Sequence, residues 1–337
     1  MNWREAAENI PEIDKLAAEK MRMHLDTLTK PQGSLGRLEE LAVMLAGMQG
    51  TVQTDKPAVL VFAGDHGVTA EGVSLYGSEV TALMAQNFVA GKAAVNVLAR
   101  QIGADVYVYN VGIDATDTAA INRNVRRGTG NIAKEPAMTT AEVKQALQIG
   151  ADAVEVSKAD IIIPGDMGIG NTTASSALLC AYKGLSPEAA AGSGTGVEGQ
   201  QLKHKIEVIG RAVKRSDAKE PLHILADLGG LEIAAMTGAM IRAASMRKPV
   251  LVDGFIATVA AIAAAKLAPG AERFFLYGHK SAEAGHAAAL EAAGGEPLLD
   301  LGMRLGEGTG AAAAYPLLKM AQALTEEMAT FADIGLA

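Results

Sequence analysis

The chain has 337 residues, of which 49% are hydrophobic and 20% are charged. This composition predicts a globular protein with a large core and excludes a disordered one. The formal net charge of −8 argues against a general nucleic-acid-binding protein. The single cysteine, Cys180, cannot form a disulfide framework within the chain and indicates a reducing compartment.

The apolar stretches of the chain do not predict a membrane protein. The N-terminal segment "MNWREAAENIPEIDKLAAEKM" is charged and amphipathic, and it lacks the apolar stretch of a signal peptide. The longest apolar run, "FIATVAAIAAA" at 255–265, ends at Lys266 and is too short to span a bilayer. We therefore expect a cytoplasmic protein with no membrane partner.

The two ends of the chain are predicted to be helical. Apolar residues at helical spacing predict a helix within 5–25, which Pro11 delays, and a second helix over 38–48 that ends near Gly50. The segment 312–337 also has a helical pattern. We expect residues 1–50 and 312–337 to pack together as a small helical domain.

Six apolar runs in the middle of the chain predict buried strands, and helical stretches separate them. The runs lie at 57–64, 105–112, 159–166, 248–254, 273–279 and 296–302. Strands that alternate with helices predict an α/β domain over 51–311, with a parallel sheet covered by helices on both faces. Residues 186–247 are predicted to be helical without any strand. The polar, turn-rich region 112–140 is expected to form a long excursion that serves as a lid or a dimer contact.

Polar residues accumulate after these strands, where ligands bind in parallel sheets. The strand ends carry Asp65, Asp166, Asp253, His279 and, a few residues after the last strand, Glu307. The sequence therefore predicts a ligand site at the carboxyl edge of the sheet.

A glycine-rich segment, "AGSGTGVEGQQ", contains Gly194-x-Gly196-x-x-Gly199, which matches the dinucleotide-binding fingerprint. The fingerprint requires a preceding strand, and the preceding "LSPEAAAG" does not have a strand pattern. A helix start that binds a phosphate through its N–H groups is the favoured interpretation. No P-loop pattern is evident.

The segment "PGDMGIGNTTASSALL" at 164–179 reads as a strand, a glycine turn and a helix. A capped helix start, with Asn171 or Thr172 as the N-cap, would need no ligand. Three glycines around Asp166 are not explained by capping and indicate that the backbone approaches a ligand closely. We favour the functional interpretation.

Histidines and an aspartate in "AGDHGV" (63–68) and "GHKSAEAGH" (278–286) could be combined into a metal site. No H-x-x-x-H or C-x-x-C spacing supports one, so structural histidines and a protein without a metal or other cofactor are favoured. Lys280 and Ser281, at a predicted helix start, are more typical of phosphate or carboxylate contacts.

Glu307 lies between two glycines in "LGEGTGAA" at 305–312. A glutamate in the first turn of a helix is stabilised by the helix dipole, which lowers its pKa and needs no function. An apolar pocket would raise the pKa of Glu307 and suit it to act as a base. Together with Asp166 it forms a pair of acidic groups that burial and repulsion can drive to different protonation states. The sequence leaves open which effect dominates.

Eight segments in order across residues 28–315 resemble the nicotinate-nucleotide–dimethylbenzimidazole phosphoribosyltransferase family. They are "KPQGSLGRLEELA", "AGDHGV", "GDMGIGNTT", "GTGVEGQQLKHKI", "DLGGLEIAAMTGAM", "PVLVDGF", "GHKSAEAGH" and "LDLGMRLGEGTGAA". The resemblance implies a homodimer with a Rossmann-like six-stranded parallel sheet and a small helical domain from both chain ends. It also implies transfer of ribose phosphate from nicotinate mononucleotide to 5,6-dimethylbenzimidazole, which gives α-ribazole 5'-phosphate and nicotinate for the lower nucleotide loop of cobalamin.

The resemblance also implies roles for individual residues. Glu307 matches the general base of the family, and Asp166 stands where the family often has a glutamate, so its side chain is shorter by one methylene. Matching motifs give the nucleotide and phosphate contacts as Gly168, Gly194, Lys205, Ser281 and Gly310. The wall around the benzimidazole is given by Met167 and Leu305, with Ser74, Tyr76 and Gln86 as further candidates.

The implied reaction is a single displacement that inverts the β-linkage to α, so no covalent enzyme intermediate is required. Two alternatives remain open. The donor could be the same while the acceptor is adenine, another benzimidazole or a phenol. The protein could instead be a non-catalytic sensor of nicotinate mononucleotide, although the presence of both Glu307 and Asp166 argues against it.

Overall fold

The computed structural model describes residues 1–116 and 118–336, so Asp117, in the predicted 112–140 excursion, lies outside the described residues. Seven parallel strands form one sheet in the order β3-β2-β1-β4-β5-β6-β7. The strands are β1 (Pro57–Gly64), β2 (Asp105–Gly112), β3 (Ile121–Asn122), β4 (Ile161–Met167), β5 (Val250–Val252), β6 (Phe275–His279) and β7 (Pro297–Leu299).

Helices connect and flank the strands. The α-helices of the described residues are α1 (Trp3–Glu8), α2 (Lys15–Thr27), α3 (Arg37–Gln49), α4 (Glu79–Val89), α5 (Ala94–Gln101), α6 (Thr140–Ser157), α7 (Asn171–Lys183), α8 (Pro187–Ala190), α9 (Gly199–Arg215), α10 (Pro221–Leu228), α11 (Leu231–Ser245), α12 (Phe255–Leu267), α13 (Ala284–Ala293) and α14 (Thr309–Glu327). Short 3-10 helices lie at Gly67–Glu71, Ala271–Phe274 and Ala332–Ile334. None of the helices in the described part of the chain has the length and hydropathy needed to cross a bilayer.

The central strands β1 and β4 are buried because helices cover both faces of the sheet. Val59 of β1 and Ile163 of β4 are completely buried and lie against Gly308 at the start of α14. Gly64 of β1, which points to the opposite face, lies against Leu231 at the start of α11. Residues buried on both faces need continuous apolar runs, which is why the sequence pattern predicted these strands.

The sheet corrects one expectation: it has seven strands, not six. All six predicted strands are present, and the additional β3 lies inside the predicted 112–140 excursion, where Tyr109 and Asn110 of β2 pair with its two residues. Both residues of β3 are exposed at the edge of the sheet. A two-residue, exposed strand leaves no apolar run, so periodicity could not reveal it. The helical prediction for 186–247 is confirmed by α8 to α11.

The chain ends pack on one another. Leu28, after α2, forms an antiparallel bridge with Thr330, after α14, and His24 Nε2 lies 2.8 Å from the carbonyl oxygen of Thr325. The helix predicted within 5–25 is split, because α1 ends before Pro11 and α2 begins after Asp14, whose side chain accepts the N–H of Ala17. Because α14 also packs on β4, β5 and β6, a separate small helical domain remains a prediction.

A close approach between α6 and α11 depends on glycine. A Cβ atom at Gly150 would lie 1.8 Å from the carbonyl oxygen of Ala235, and one at Gly238 would lie 1.9 Å from that of Leu147. We expect Gly150→Ala to lower the free energy of unfolding by about 1–3 kcal/mol, because the helices must separate to admit the methyl group. Urea denaturation measures this difference.

Gly210→Ala in α9 is the matched control. A Cβ atom there would meet only Pro187, at 3.8 Å, so the alanine should be tolerated and raise the stability by about 0.5–1 kcal/mol. Equal unfolding free energies for Gly150→Ala and the unmodified protein would contradict the claim that this contact fixes the helix spacing.

Candidate functional site

A cavity of about 360 Å³ lies at the carboxyl ends of β4, β5 and β6. It brings together nine of the residues that the sequence predicted for the site, namely Tyr76, Asp166, Met167, Gly168, Gly194, Ser281, Leu305, Glu307 and Gly310. The predicted location at this edge of the sheet therefore coincides with a cavity. The cavity is also lined by residues to which the sequence assigned no role at the site, including Asn171, Thr172, Asp253, Glu283 and Arg304.

Glu307 lies in a tight turn at the entrance to α14. Gly306, Glu307 and Gly308 all have positive φ values, of 84°, 65° and 87°. A non-glycine residue in this region costs about 1–3 kcal/mol, so the surrounding structure must hold Glu307 there. Its carbonyl oxygen would lie 2.5 Å from a Cβ atom at Gly165, so β4 needs glycine at that position to admit the turn.

The carboxyl group of Glu307 is buried and incompletely hydrogen-bonded. The residue is 5% exposed, and its Oε2 atom has no hydrogen-bond partner among the described residues. Burial, followed by the charge of Asp253, raises the pKa of Glu307 to about 7, against a hydrogen bond from the N–H of Val95. Of the effects that the sequence left open, burial therefore dominates. A carboxyl group with this pKa can accept a proton near neutral pH.

Asp166 is the second buried carboxyl group in the cavity. Its Oδ2 atom accepts a hydrogen bond from Asn171 Nδ2 at 2.9 Å. Burial and the charges of Asp253, Glu232 and Glu307 raise the pKa of Asp166 well above its usual range. Both carboxyl groups of the cavity therefore have raised pKa values, for Asp166 mainly because it is buried and for Glu307 to about 7. Asp166 contacts Asn171 and not Lys205, whose ammonium group has other partners.

The start of α7 contradicts the simple capping interpretation. The N-cap is Gly170, which has no side chain, and the predicted caps Asn171 and Thr172 are the first two residues of the helix. Their side chains contact site residues, since Asn171 donates to Asp166 and Thr172 Oγ1 accepts from Lys205 Nζ at 2.9 Å. The polar start of α7 therefore belongs to the cavity.

Lys205 lies directly behind the cavity wall. Its side chain is fully buried, and Nζ donates to Thr172 Oγ1 and to the carbonyl oxygen of Gly192, both at 2.9 Å. Burial lowers the pKa of Lys205 to about 8, while the charge of Glu283 opposes this shift. A Cβ atom at Gly194 would lie 2.7 Å from Thr172 Oγ1 and 2.8 Å from Nζ, and the positive φ of Gly194, 54°, also favours glycine at this position.

Glu283 holds the glycine-rich loop in place. Its two carboxylate oxygens accept the N–H of Gly194 at 2.9 and 3.1 Å. The N–H of Glu283 in turn donates to Ser281 Oγ at 3.2 Å. These contacts bring the predicted phosphate residues Gly194 and Ser281 to one side of the cavity. Sequence reasoning missed Glu283 because its partner is 89 residues away.

Asp253 stands directly after β5, where the sequence placed it among the polar strand ends without assigning it a role. Its Oδ2 atom accepts the N–H of Gly308 at 3.1 Å, and Oδ1 accepts the N–H of Ala311 at 2.9 Å. The residue is only 3% exposed. Its carboxylate thus contacts the start of α14, immediately after Glu307.

The histidines have structural partners. His66 Nε2 lies 2.6 Å from Glu232 Oε1, in a buried pair behind Gly168. His286 Nδ1 accepts the N–H of Ser281 at 2.7 Å, and its Nε2 lies 3.0 Å from Thr258 Oγ1. Burial and the charge of a neighbouring histidine lower the pKa of His286 to about 4. In residues 1–116 and 118–336, no group of three or more His, Cys, Asp or Glu side chains could hold a metal ion.

Three predicted residues do not line the cavity. Ser74 lies behind its rim, where Oγ is 3.2 Å from Thr195 Oγ1 and accepts the N–H of Tyr76. Gln86 is exposed on α4, and Lys205 is buried behind the wall as described above. The apolar part of the wall contains the predicted Met167, at the end of β4, and Leu305, together with Val80 and Met84 of α4 and Met303.

Comparisons with known proteins agree on one family. A family model described as Phosphoribosyltransferase matches residues 10–336. The nicotinate-nucleotide–dimethylbenzimidazole phosphoribosyltransferase of Xanthomonas oryzae is 49% identical over 323 residues, which covers 92% of each protein. The enzyme of the same name from Pseudomonas putida is 46% identical and covers 99% of this chain and 97% of its own.

Solved structures give the same result. The crystal structure of CobT from Thermus thermophilus is 44% identical and superposes with a TM-score of 0.91, covering 96% of this chain and 99% of its own. A second structure from the same organism, of the nicotinate-nucleotide–dimethylbenzimidazole phosphoribosyltransferase, is 42% identical with the same TM-score and coverage. The structural similarity therefore extends over almost the whole chain.

Proposed function

This chain belongs to the nicotinate-nucleotide–dimethylbenzimidazole phosphoribosyltransferase family, and we propose from that premise which of its residues carry the reaction. The enzyme moves a 5-phosphoribosyl group from nicotinate mononucleotide to 5,6-dimethylbenzimidazole in cobalamin biosynthesis. The observation that carries the proposal is the carboxyl group of Glu307, which is buried in the cavity with a free oxygen and a pKa raised to about 7.

In the proposed mechanism, Glu307 is the general base. One ring nitrogen of the benzimidazole attacks C1' of the ribose, while Glu307 takes the proton from the other ring nitrogen. Without this proton transfer, the product would carry a full positive charge on its imidazole ring. The bond from C1' to the pyridinium nitrogen breaks, and its electron pair neutralises the leaving nicotinate, so no acid is needed. Attack opposite the leaving group inverts the β-linkage to α.

The proposed phosphate site combines backbone N–H groups with one lysine. The N-termini of α7 and α14 both face the cavity, and helix N-termini favour anions. Gly168, Gly194, Ser281 and Gly310 also line the cavity, and Gly194 lies beside Thr172 of α7. The buried Lys205 supplies the positive charge. An acidic protein can therefore hold an anionic nucleotide without a basic surface.

The proposed acceptor site is the apolar part of the cavity. Met167 is half-buried, whereas Leu305 and Tyr76 stand at the rim and are 57% and 55% exposed. A flat, apolar ring fits between such side chains, and the exposed rim lets it enter. Gln86 and Ser74 remain predictions for this site, because neither lines the cavity.

The test of the function is nicotinate release from nicotinate mononucleotide, with and without 5,6-dimethylbenzimidazole. Release that depends on the benzimidazole, with an α-linked product, is expected. Release only with adenine, another benzimidazole or a phenol would assign a different acceptor. Binding of nicotinate mononucleotide without release under any of these conditions would identify a sensor and contradict the proposal.

The activity should depend on pH through the base. Because Glu307 must be ionised to accept a proton and its pKa is raised to about 7, we expect kcat/KM to fall below about pH 7 and to level off above it. A steady-state profile of kcat/KM against pH, recorded with saturating phosphoribosyl donor, measures this decrease, which forms the acidic limb of the profile. An acidic limb near pH 4.5, the ordinary value for glutamate, would show that burial does not tune this group.

We also propose that the enzyme is a cytoplasmic homodimer, as the family resemblance implies. Large apolar side chains are exposed next to cavity-lining residues in the chain, including Leu75 beside Tyr76 and Leu83 beside Met84, which are 51% and 59% exposed. One chain has a mass of 34.7 kDa, so light scattering should give about twice that mass. A monomeric mass at micromolar concentration would contradict this proposal.

A further inference from the structure

The start of α14 is capped by a side chain from another part of the chain. The first N–H groups of a helix have no acceptor within the helix. The N-cap of α14 is Gly308, which has no side chain to accept them. Asp253, which follows β5, accepts the N–H groups of Gly308 and Ala311 at 3.1 and 2.9 Å. The N–H of Gly310 also donates to this carboxylate.

These contacts hold the turn that presents Glu307. On one side, the turn is limited by β4, because Gly165 leaves just enough room for the carbonyl oxygen of Glu307. On the other side, the carboxylate of Asp253 fixes the next residue, Gly308. Within the turn, the N–H and Oγ1 of Thr309 both donate to the carbonyl oxygen of Gly306, at 3.0 and 2.7 Å. Glu307 is therefore held in a left-handed conformation that it would not favour by itself.

We propose that Asp253 is a positioning residue for the base: its carboxylate fixes the 307–311 backbone and sets the electrostatic environment of the Glu307 side chain. This inference rests on the proposed function, because Asp253 acts on the reaction only through Glu307. Asp253 itself touches no reacting atom in this assignment.

Among the charged residues around Glu307, Asp253 is the one whose charge shifts the pKa of Glu307. Burial is the largest cause of the raised pKa of Glu307, and the charge of Asp253 is the second. The other titratable or charged residues that line the same cavity are Tyr76, Asp166, His279, Glu283 and Arg304. Burial raises the pKa of Asp253 to about 6, against three backbone hydrogen bonds. Asp253 is therefore ionised at neutral pH, where it disfavours a second negative charge on Glu307.

Asp253→Asn tests the inference because it removes the charge and keeps the shape. One side-chain oxygen remains to accept an N–H, but the amide nitrogen now faces another N–H, so the turn should shift. A misplacement of 1 Å costs about 10²-fold in rate, and we expect a loss in kcat of about that size. The acidic limb of kcat/KM should also move to lower pH, because the charge that raises the pKa of Glu307 is gone.

The matched control is Asp217→Asn, which removes the same charge from an exposed position between α9 and α10. This control should change neither kcat nor the pH of the acidic limb of kcat/KM. If Asp253→Asn lowers the rate without moving the limb, Asp253 is only a structural cap and the inference is overturned. It is also overturned if Asp253→Asn behaves as the unmodified enzyme.

A second measurement needs no active variant. An amide that donates to a carboxylate changes its NMR shift when that carboxylate is protonated. The amide protons of Gly308 and Ala311 should titrate together between pH 5 and 8, both in the unmodified enzyme and in Glu307→Gln. Constant shifts, or shifts that disappear in Glu307→Gln, would overturn the inference even if Asp253→Asn failed to fold. Retained turnover in Glu307→Gln would instead contradict the proposed base and leave the capping result intact.

Discussion

Glu307→Gln is expected to lower kcat for phosphoribosyl transfer by about 10²–10⁴-fold, the usual contribution of a general base. The amide fills the same space but cannot accept the proton from the benzimidazole ring. Binding of nicotinate mononucleotide should change little, because the proposed phosphate contacts are backbone N–H groups and Lys205, and the substitution removes none of them. Single-turnover measurement of nicotinate release separates this loss from slow product release.

The folded structure should survive this substitution. The folded pKa of Glu307 is raised above its ordinary value of 4.5, so the folded protein binds its proton more tightly than the unfolded chain does. The ionised side chain therefore destabilises the fold progressively as the pH rises through about 7, and the neutral amide does not. We expect the Tm of Glu307→Gln at pH 8 to be no lower than that of the unmodified enzyme.

Glu8→Gln, at an exposed position of α1, is the matched control and should leave both kcat and Tm unchanged. Near-native turnover in a folded Glu307→Gln enzyme would remove Glu307 from the mechanism. The acidic limb of the pH profile should disappear together with the rate in this variant, since the group that produces it is absent.

Lys205→Met is expected to raise KM for nicotinate mononucleotide by about 30- to 1000-fold. Removing one partner of a buried charge pair costs about 2–4 kcal/mol, and each 1.4 kcal/mol corresponds to about tenfold. The ammonium group is fully buried beside Gly194, so solvent cannot replace it. Because Lys205 Nζ contacts Thr172 and Gly192 and not the proposed base, the increase in KM for the donor should be larger than the decrease in kcat.

Methionine keeps the length of the Lys205 side chain, but it leaves the carbonyl oxygen of Gly192 without a donor and the charge of Glu283 without a counter-charge. We therefore expect a lower Tm as well, and KM is measured at a temperature where the variant is folded. Lys144→Met, at an exposed position of α6, is the control for the loss of one positive charge. An unchanged KM in Lys205→Met would mean that backbone N–H groups alone hold the phosphate. The charge of Lys205 would then serve only to balance Glu283.

The sequence predicted the central part of the fold closely. The predicted strands 57–64 and 105–112 coincide with β1 and β2, and the other four predicted strands overlap β4 to β7. These strands are apolar because both faces of a parallel sheet are covered. Each strand is therefore a short continuous apolar run, which can be recognised in the sequence without knowledge of distant contacts. The position of Glu307 in a turn between two glycines was readable for the same reason, since it depends on adjacent residues.

Features that depend on contacts between residues far apart in the chain could not be predicted from the sequence. The strand β3 forms because it pairs with β2. The interruption between α1 and α2 lets α1 pack on α11 and α2 pack on α3. The cap of Asp253 on α14 joins residues more than 50 positions apart. Lys205 meets Thr172 across 33 positions. No periodicity or short motif encodes contacts of this kind.

The sequence by itself therefore determined the order of strands and helices, the edge of the sheet where polar residues gather, and Glu307 as the leading candidate for chemistry. Only the tertiary structure decided the protonation behaviour of Glu307. Helix dipole and burial act on this carboxyl group in opposite directions, and both follow from residue types that the sequence shows. Their balance depends on how completely the group is removed from water and on the buried charge of Asp253 beside it, and these are properties of three-dimensional packing.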